Sequence, residues 1–425
     1  MEAYRDLIFD LIAIILAVAA TAIALIEAQE MLYNKRISTF ILLYRMRRND
    51  QLRISRAISD FHEDDSQGDD VYAHLFYKRA WMHQAGKPLQ PLEHLKILPS
   101  FPARNYTPIT RAFRHKGILP MRYRTLADNL VTFTDIHLFD APTYAVSGVE
   151  ANEDGLTLRV HRGSFFDYVN SCFPFEFEAA HYLLRRNPKA GQKSRLRLRE
   201  SISVFDFDNR FASIGVVTLL ILQNVKQNGR ATPYFLLHRR SGDVAAAQGR
   251  LSIVPAGTFQ PSSETAHLDL DDALKREGIY HSLIRELGEE VFCIEEFSFL
   301  SRVNALESSE IFEFLKGRTY FLGCGINPLD LHFEVITMAV FDFADEAVKE
   351  YFGGDSAEEI VRRIDNNYEG EISLNPFTPD MLYHYENHFR TDPPLKELCR
   401  TVRGDFEHIM DVIEGVGPGR ADNDA

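Results

Sequence analysis

Cysteine is scarce in this sequence. Cys172, Cys293, Cys324 and Cys399 are the only four in 425 residues, and no two of them form a CxxC pair. Neither a disulfide framework nor a cysteine zinc site is suggested, and a reducing compartment fits most of the chain. Positive charge is also in deficit: 47 Lys and Arg stand against 61 Asp and Glu, a formal net charge of −14. That argues against binding a nucleic-acid duplex through the surface at large. No internal repeat is visible. What remains is ordinary for a folded protein, 45% hydrophobic and 25% charged, and long enough for two or three domains around a large core.

One long apolar run is present. LIFDLIAIILAVAATAIALI, residues 7–26, carries a single charge, Asp10. As a helix it rises about 30 Å, the thickness of a bilayer's hydrocarbon core. A cleaved signal peptide begins basic, whereas here Arg5 is outweighed by Glu2 and Asp6. The expectation is a transmembrane helix within residues 1–32. Lys35, Arg36, Arg45, Arg47, Arg48, Arg53 and Arg56 follow it, opposed between Lys35 and Arg56 only by Asp50. The positive-inside bias then predicts a single pass through the inner (plasma) membrane, N-terminus out, with the rest cytoplasmic and the basic stretch on anionic membrane lipid.

Patterning divides the remainder. Residues 33–125 read as a helical juxtamembrane region, with helices at 33–57 and at VYAHLFYKRAWMHQAG (71–86), the second ended by Gly86 and Pro88. Residues 126–209 read as a strand-rich extension. In it TYAVSGVEANEDGLTLRVHRG (143–163) is a hairpin around Asn152, Asp154 and Gly155, and FEFEAAHYLLRR (175–186) is a helix. SIGVVTLLIL, PYFLLHRR, GRLSIVPAGTFQP, FSFLSRV, RTYFLGCGI and HFEVITMAVFDF supply strands between 213 and 343. Helices close a unit spanning 210–413, and 414–425 has the composition of a disordered tail. Strands, one acidic helix, strands and a helix again predict an α+β fold, a mixed sheet sandwiched between helices.

The stretch EGIYHSLIRELGEEVF, 277–292, carries the chemistry. Helical residues three and four apart share a face, so Glu286, Glu289 and Glu290 are expected to project together. A hard divalent cation, Mg²⁺ or Mn²⁺, relieves their repulsion and can polarise a phosphoryl oxygen. The plain alternative is an inert acidic face, which costs only about 0.2–0.5 kcal/mol per like-charged pair. Spacing separates the two. Glu277, seven residues, then Arg285, Glu286, Leu287, Gly288, Glu289, Glu290 resembles the Nudix box, G-x5-E-x7-R-E-U-x-E-E-x-G-U.

Two positions depart from that box. Nineteen residues, TFQPSSETAHLDLDDALKR, separate Gly257 from Glu277 where the box has five, and Phe292 stands where the box ends in glycine. The resemblance implies that Glu286, Glu289 and Glu290 hold the metal and that Arg285 pairs with Glu277. It further implies a nucleoside diphosphate linked to another group as ligand, cleaved at the pyrophosphate. The general base does not carry over from the resemblance; Glu307, Glu310 and Glu334 are candidates for it. His238, Arg239 and Arg240 at a strand end are candidates to grip a phosphate, and Phe259 and Gln260 to meet a base. A membrane segment joined to such a domain is similar to the transmembrane–Nudix effectors of bacterial cyclic-oligonucleotide anti-phage signalling. That likeness implies a nucleotide receptor, with a cyclic oligonucleotide as its expected ligand, that acts as a homo-oligomer through its helix. The other reading is a metal-dependent hydrolase.

Overall fold

The computed structural model describes residues 2–49, 54, 58, 61–62, 68–101, 109, 118–121, 124–134, 136, 138–152, 155–184, 196–240, 250–262, 265–292, 314–364 and 370–415. The expected strand 297–303, Glu307, Glu310 and the tail from 416 onward lie outside these residues.

A helix, α1, runs from Glu2 to Asn49. Its C-terminal part is tied to the body: Phe40, Leu43 and Tyr44 are buried, and Phe40 stacks on Phe177 at 5.5 Å between ring centroids. Its middle is not covered. Every residue from 17 to 34 is exposed, including Val18, Ile23, Leu25, Ile26, Met31 and Leu32. Among the described residues no helix is long and apolar enough to cross a membrane; the side chains of residues 2–13, 15 and 16, about half of the expected span, lie outside the described ones.

The expected helix at 71–86 is instead a small antiparallel ribbon, β1 (Asp70–Tyr72) and β2 (Phe76–Lys78), followed by a 3-10 turn at Arg79–Trp81. Tertiary packing overrides the local pattern here. Tyr72, Phe76 and Trp81 join an aromatic cluster with Phe205, Phe207 and Phe333, and β2 adds to the edge of the main sheet. β3 (Gln90–Pro91) pairs into the same sheet, so the 70–99 part of the 33–125 region contributes strands and 3-10 turns, while Ile54, Ile58, Phe61, His62 and Ile109 are helical.

In the extension β5 (Pro142–Asn152) and β6 (Gly155–Ser164) form a hairpin at the predicted place, and β4 (Lys96–Pro99), from the preceding region, joins them in a three-stranded sheet. The extension also contains α2 (Leu126–Phe133), α3 (Phe165–Ser171) and α4 (Phe173–Leu184). α2 and α3 each open with a full capping box, Thr125 with Asp128 and Ser164 with Asp167, which satisfies N–H groups that a helix start leaves unpaired.

The main sheet is mixed. Its path is β1, β2, β11 (Thr319–Ile326), β12 (Phe333–Asp342), β7 (Ile214–Gln227), β8 (Arg230–Arg240) and β13 (Gly370–Pro376). β9 (Leu251–Ile253) attaches to β8 and β10 (Ala256–Thr258) to β7, with a cis Val254–Pro255 bond between them. Only β12 and β7 run parallel among these pairs. Both are buried on their two faces, which is why they read as unbroken apolar runs rather than alternating ones.

Alternate residues of β7 enter different cores. Leu220 and Leu222 meet Leu283, Ile284 and Leu287, whereas Leu219 and Ile221 join the core shared with α1, α4 and the extension. Helical layers thus cover both sides of the sheet, α5 (Leu270–Arg276), α6 (Ile279–Glu286), α7 (Glu346–Phe352) and α8 (Ala357–Ile364) preceding α9 (Pro379–Asn387), α10 (Pro393–Gly404) and α11 (Phe406–Gly415) along the chain. The α+β class with a mixed sheet is as the pattern indicates.

Candidate active site

The acidic stretch is not one helix. Glu277 caps the end of α5, Gly278 breaks the chain direction, α6 carries Arg285 and Glu286, and a wide π-helical turn at Leu287–Val291 carries Glu289 and Glu290. The apolar side of this segment fixes its orientation: Leu283, Ile284, Leu287 and Val291 are buried against the sheet. Phe292, in the place of the box's closing glycine, packs edge-on against Tyr351 at 4.6 Å and Phe352 at 5.2 Å. A bulky residue there is accommodated because α7 supplies an aromatic socket.

Two carboxylates converge on consecutive residues of β10. Glu290, only 2% exposed, accepts from the Ala256 N–H at 2.7 Å. Glu286 lies directly over Gly257: a Cβ at that position would stand 1.9 Å from the Glu286 Cδ. Glycine is required there for close approach, not for its backbone torsions. Glu289 sits half-buried on the same turn. Among the described residues, no group of three His, Cys, Asp or Glu stands together closely enough to hold an ion.

Arg285 donates through Nη2 to Glu286 at 2.6 Å and to the Thr258 carbonyl at 2.7 Å. The expected partner, Glu277, is engaged elsewhere: it accepts from the Ser262 N–H at 2.9 Å and from the Thr265 hydroxyl. The insertion accounts for the exchange. With nineteen residues between Gly257 and Glu277, the loop folds back and its own polar groups reach Glu277 first. Arg285 then braces Glu286 onto the strand. A charge-assisted bond of this kind contributes on the order of 1.5–3 kcal/mol when partly buried, and here it restrains a candidate ligand's rotamer.

The phosphate-gripping candidates do not share this place. His238 is fully buried within the sheet, in register with Ser252 and Ile372. Arg239 is exposed, 4.0 Å from Glu371; the side chain of Arg240 lies outside the described ones, though its backbone pairs with Gly370. Phe259 is a core residue, 1% exposed, its ring 4.7 Å from that of Tyr144. Gln260 is half-buried beside it. Burial of Tyr144 pushes its hydroxyl pKa up.

Glu334 belongs to another cluster. Thr258 pairs with Gly215 and Gly215 with Glu334, one row along from Gly257 and Val216. Successive residues of a strand face opposite sides, so Glu334 lies across the sheet from Glu286. There His332 bonds Asp330 through Nδ1 and Glu334 through Nε2, both at 2.5 Å, and the Tyr168 hydroxyl donates to Asp330. Bonding both ring nitrogens to carboxylates requires the imidazolium. Burial opposes that charge, but Asp330 and Glu334 outweigh it and hold the His332 pKa well above 6.5. Burial likewise opposes ionisation of Asp330, yet His332 and the hydrogen bonds bring it down to about 2. The spacing Asp330, His332, Glu334 at alternate residues entering β12 was the legible signal for this cluster. Arg162, Ser262 and Thr265 had no signal, since they act through loop closure.

No family model and no curated protein matches the chain. Solved structures similar to it include a mutT/nudix family protein from Listeria innocua, 13% identical over 48% of this chain and 96% of that one, TM-score 0.26. A NUDIX hydrolase from Alicyclobacillus acidocaldarius is 14% identical over 47% and 95%, TM-score 0.28. A bifunctional NMN adenylyltransferase/ADP ribose pyrophosphatase from Francisella tularensis, complexed with AMP and an Mn ion, is 13% identical over 56% and 50%, TM-score 0.24. At such identities and scores they establish no family for this chain.

Proposed function

We propose that the chain is a Nudix-type protein whose carboxylate site binds a nucleotide ligand and cleaves a nucleoside diphosphate-linked substrate with a divalent ion. The observation that carries this reading is the convergence of Glu286 and Glu290 on Gly257 and Ala256. The donor set fits a hard cation: two carboxylates, from α6 and the turn after it, packed against one short strand, one of them buried, with a glycine cradle that a Cβ would fill. Glu286 and Glu290 would hold Mg²⁺ or Mn²⁺, with Glu289 the adjoining acid. Such an ion supplies Lewis-acid polarisation of a phosphoryl oxygen.

The chain's own groups prepare the site. The Ala256 N–H fixes the orientation of the Glu290 carboxyl by donating to it. Arg285 fixes Glu286 and brings a guanidinium beside the place where a phosphate's charge would fall. The test is turnover of a panel of nucleoside diphosphate derivatives by the full-length chain with Mg²⁺. Glu290→Gln should abolish it while the circular dichroism spectrum is kept; turnover retained in that variant would end the proposal.

A receptor reading has its own support in α1, whose apolar side chains from Val18 to Leu32 stand uncovered beyond a packed C-terminal part. In this finer form the protein is tethered to membrane lipid through residues 7–26, assembles as a homo-oligomer and answers a cyclic oligonucleotide in anti-phage defence. Expression with and without residues 7–26 tests it: toxicity independent of that segment rejects action through the membrane.

A further inference from the structure

We propose that Tyr144 and Arg162, which face each other across the β5–β6 hairpin, form a clamp through which the extension positions the carboxylate site. This rests on the nucleotide-site reading above. Arg162 Nη1 donates to the carbonyls of Ala266 at 3.0 Å and Leu268 at 2.8 Å. The Tyr144 N–H donates to the Phe259 carbonyl at 3.1 Å, and the Thr143 hydroxyl reaches the same oxygen at 3.3 Å. The Arg162 guanidinium also lies over the Tyr144 ring, 5.9 Å from its centroid. One rung of the hairpin thus holds the inserted loop at its beginning and at its turn.

What the clamp holds leads directly to the acids. Thr265, next to Ala266, donates its hydroxyl to Glu277, and Ser262 donates its N–H to the same oxygen. Glu277 adjoins Gly278, where α6 begins, and α6 delivers Arg285 and Glu286 to β10. A nineteen-residue loop left to itself samples many conformations and would order only on binding, at a cost in affinity. Anchoring its beginning and its turn to a rigid hairpin removes part of that cost beforehand. Arginine suits the post because a planar guanidinium reaches two carbonyls at once, which a lysine ammonium does less well. Arg162 acts through the loop carbonyls and the Tyr144 ring, so it is a positioning residue.

The experiment uses the full-length chain and two readouts: Mn²⁺ binding by electron paramagnetic resonance, and the rate of proteolytic cleavage within 262–276. Arg162→Ala should weaken Mn²⁺ binding about tenfold, equivalent to roughly 1.4 kcal/mol of lost positioning, and should speed cleavage, with Arg162→Lys between it and wild type. Wild-type cleavage and affinity in Arg162→Ala would overturn the clamp. Should Arg162→Ala fail to fold, Thr265→Val breaks the link to Glu277 alone and must show both effects. Failure of the wild-type chain to bind Mn²⁺ rejects the carboxylate-site reading itself; faster cleavage in the variants would still decide for the clamp, and unchanged cleavage against it.

Discussion

Two glycines on neighbouring rows of one sheet each admit a carboxylate, and the two faces use it differently. Over Gly257, Glu286 is held by Arg285, with Glu290 and Glu289 on the turn that follows. Over Gly215, where a Cβ would stand 2.3 Å from its Oε2, Glu334 is locked to a protonated His332 inside the core. The first set comprises Glu286, Glu289 and Glu290, with Arg285 bonded to Glu286. The second is matched by His332, with Arg199 and Arg210 beside Asp330. Acids gathered on one turn are what a divalent cation needs; a matched network in the interior suits a fixed structure.

The comparison breaks most severely at Arg210. It is fully buried, and its donors go to the carbonyls of Ser203, Val204, Asp206 and Leu331. Arg210→Ala leaves those oxygens unpaired and should cost about 3–5 kcal/mol, read from urea denaturation midpoints. Next come the glycines. Gly215→Ala and Gly257→Ala should each lose about 1–3 kcal/mol by overpacking, but only Gly257→Ala should abolish Mn²⁺ binding. Equal effects of both on binding would erase the distinction between the faces.

A pH profile sharpens the same contrast. His332 has a raised pKa, so its contribution to stability is complete below about 6.5 and is lost as pH rises through the folded value. Asp330 has a lowered one, so its contribution is present above about 3.9 and is lost as pH falls through about 2. His332→Gln should therefore flatten the alkaline fall in melting temperature that the wild-type protein shows. The smallest effect is expected at Arg239, exposed and 4.0 Å from an exposed Glu371. Arg239→Ala should change stability by less than about 0.5 kcal/mol and leave Mn²⁺ affinity unaltered.

Legibility in the sequence followed the range of the forces involved. The β5–β6 hairpin, β7, β12 and α4 were readable because period and turn residues are local. The ribbon at 70–78 was not, because its strand character comes from Phe205, Phe207 and Phe333 far along the chain. Phe259 could be placed beside the site by position, yet only the Tyr144 ring shows it to be core. The resemblance implied a pair between Arg285 and Glu277, whereas Arg285 bonds Glu286 and the Thr258 carbonyl.

By itself the sequence determined the α+β class, the strand pairs closed by short turns, and the set of acids gathered at 286–290, since covalent spacing along a helix dictates which side chains can share a turn. Only the tertiary structure decided which of those acids meet β10, that Glu277 serves the inserted loop, and that Glu334 faces the other way. Those outcomes depend on which distant backbone group arrives within hydrogen-bond reach, and on which side of a strand each residue falls, and neither is fixed until the sheet has closed.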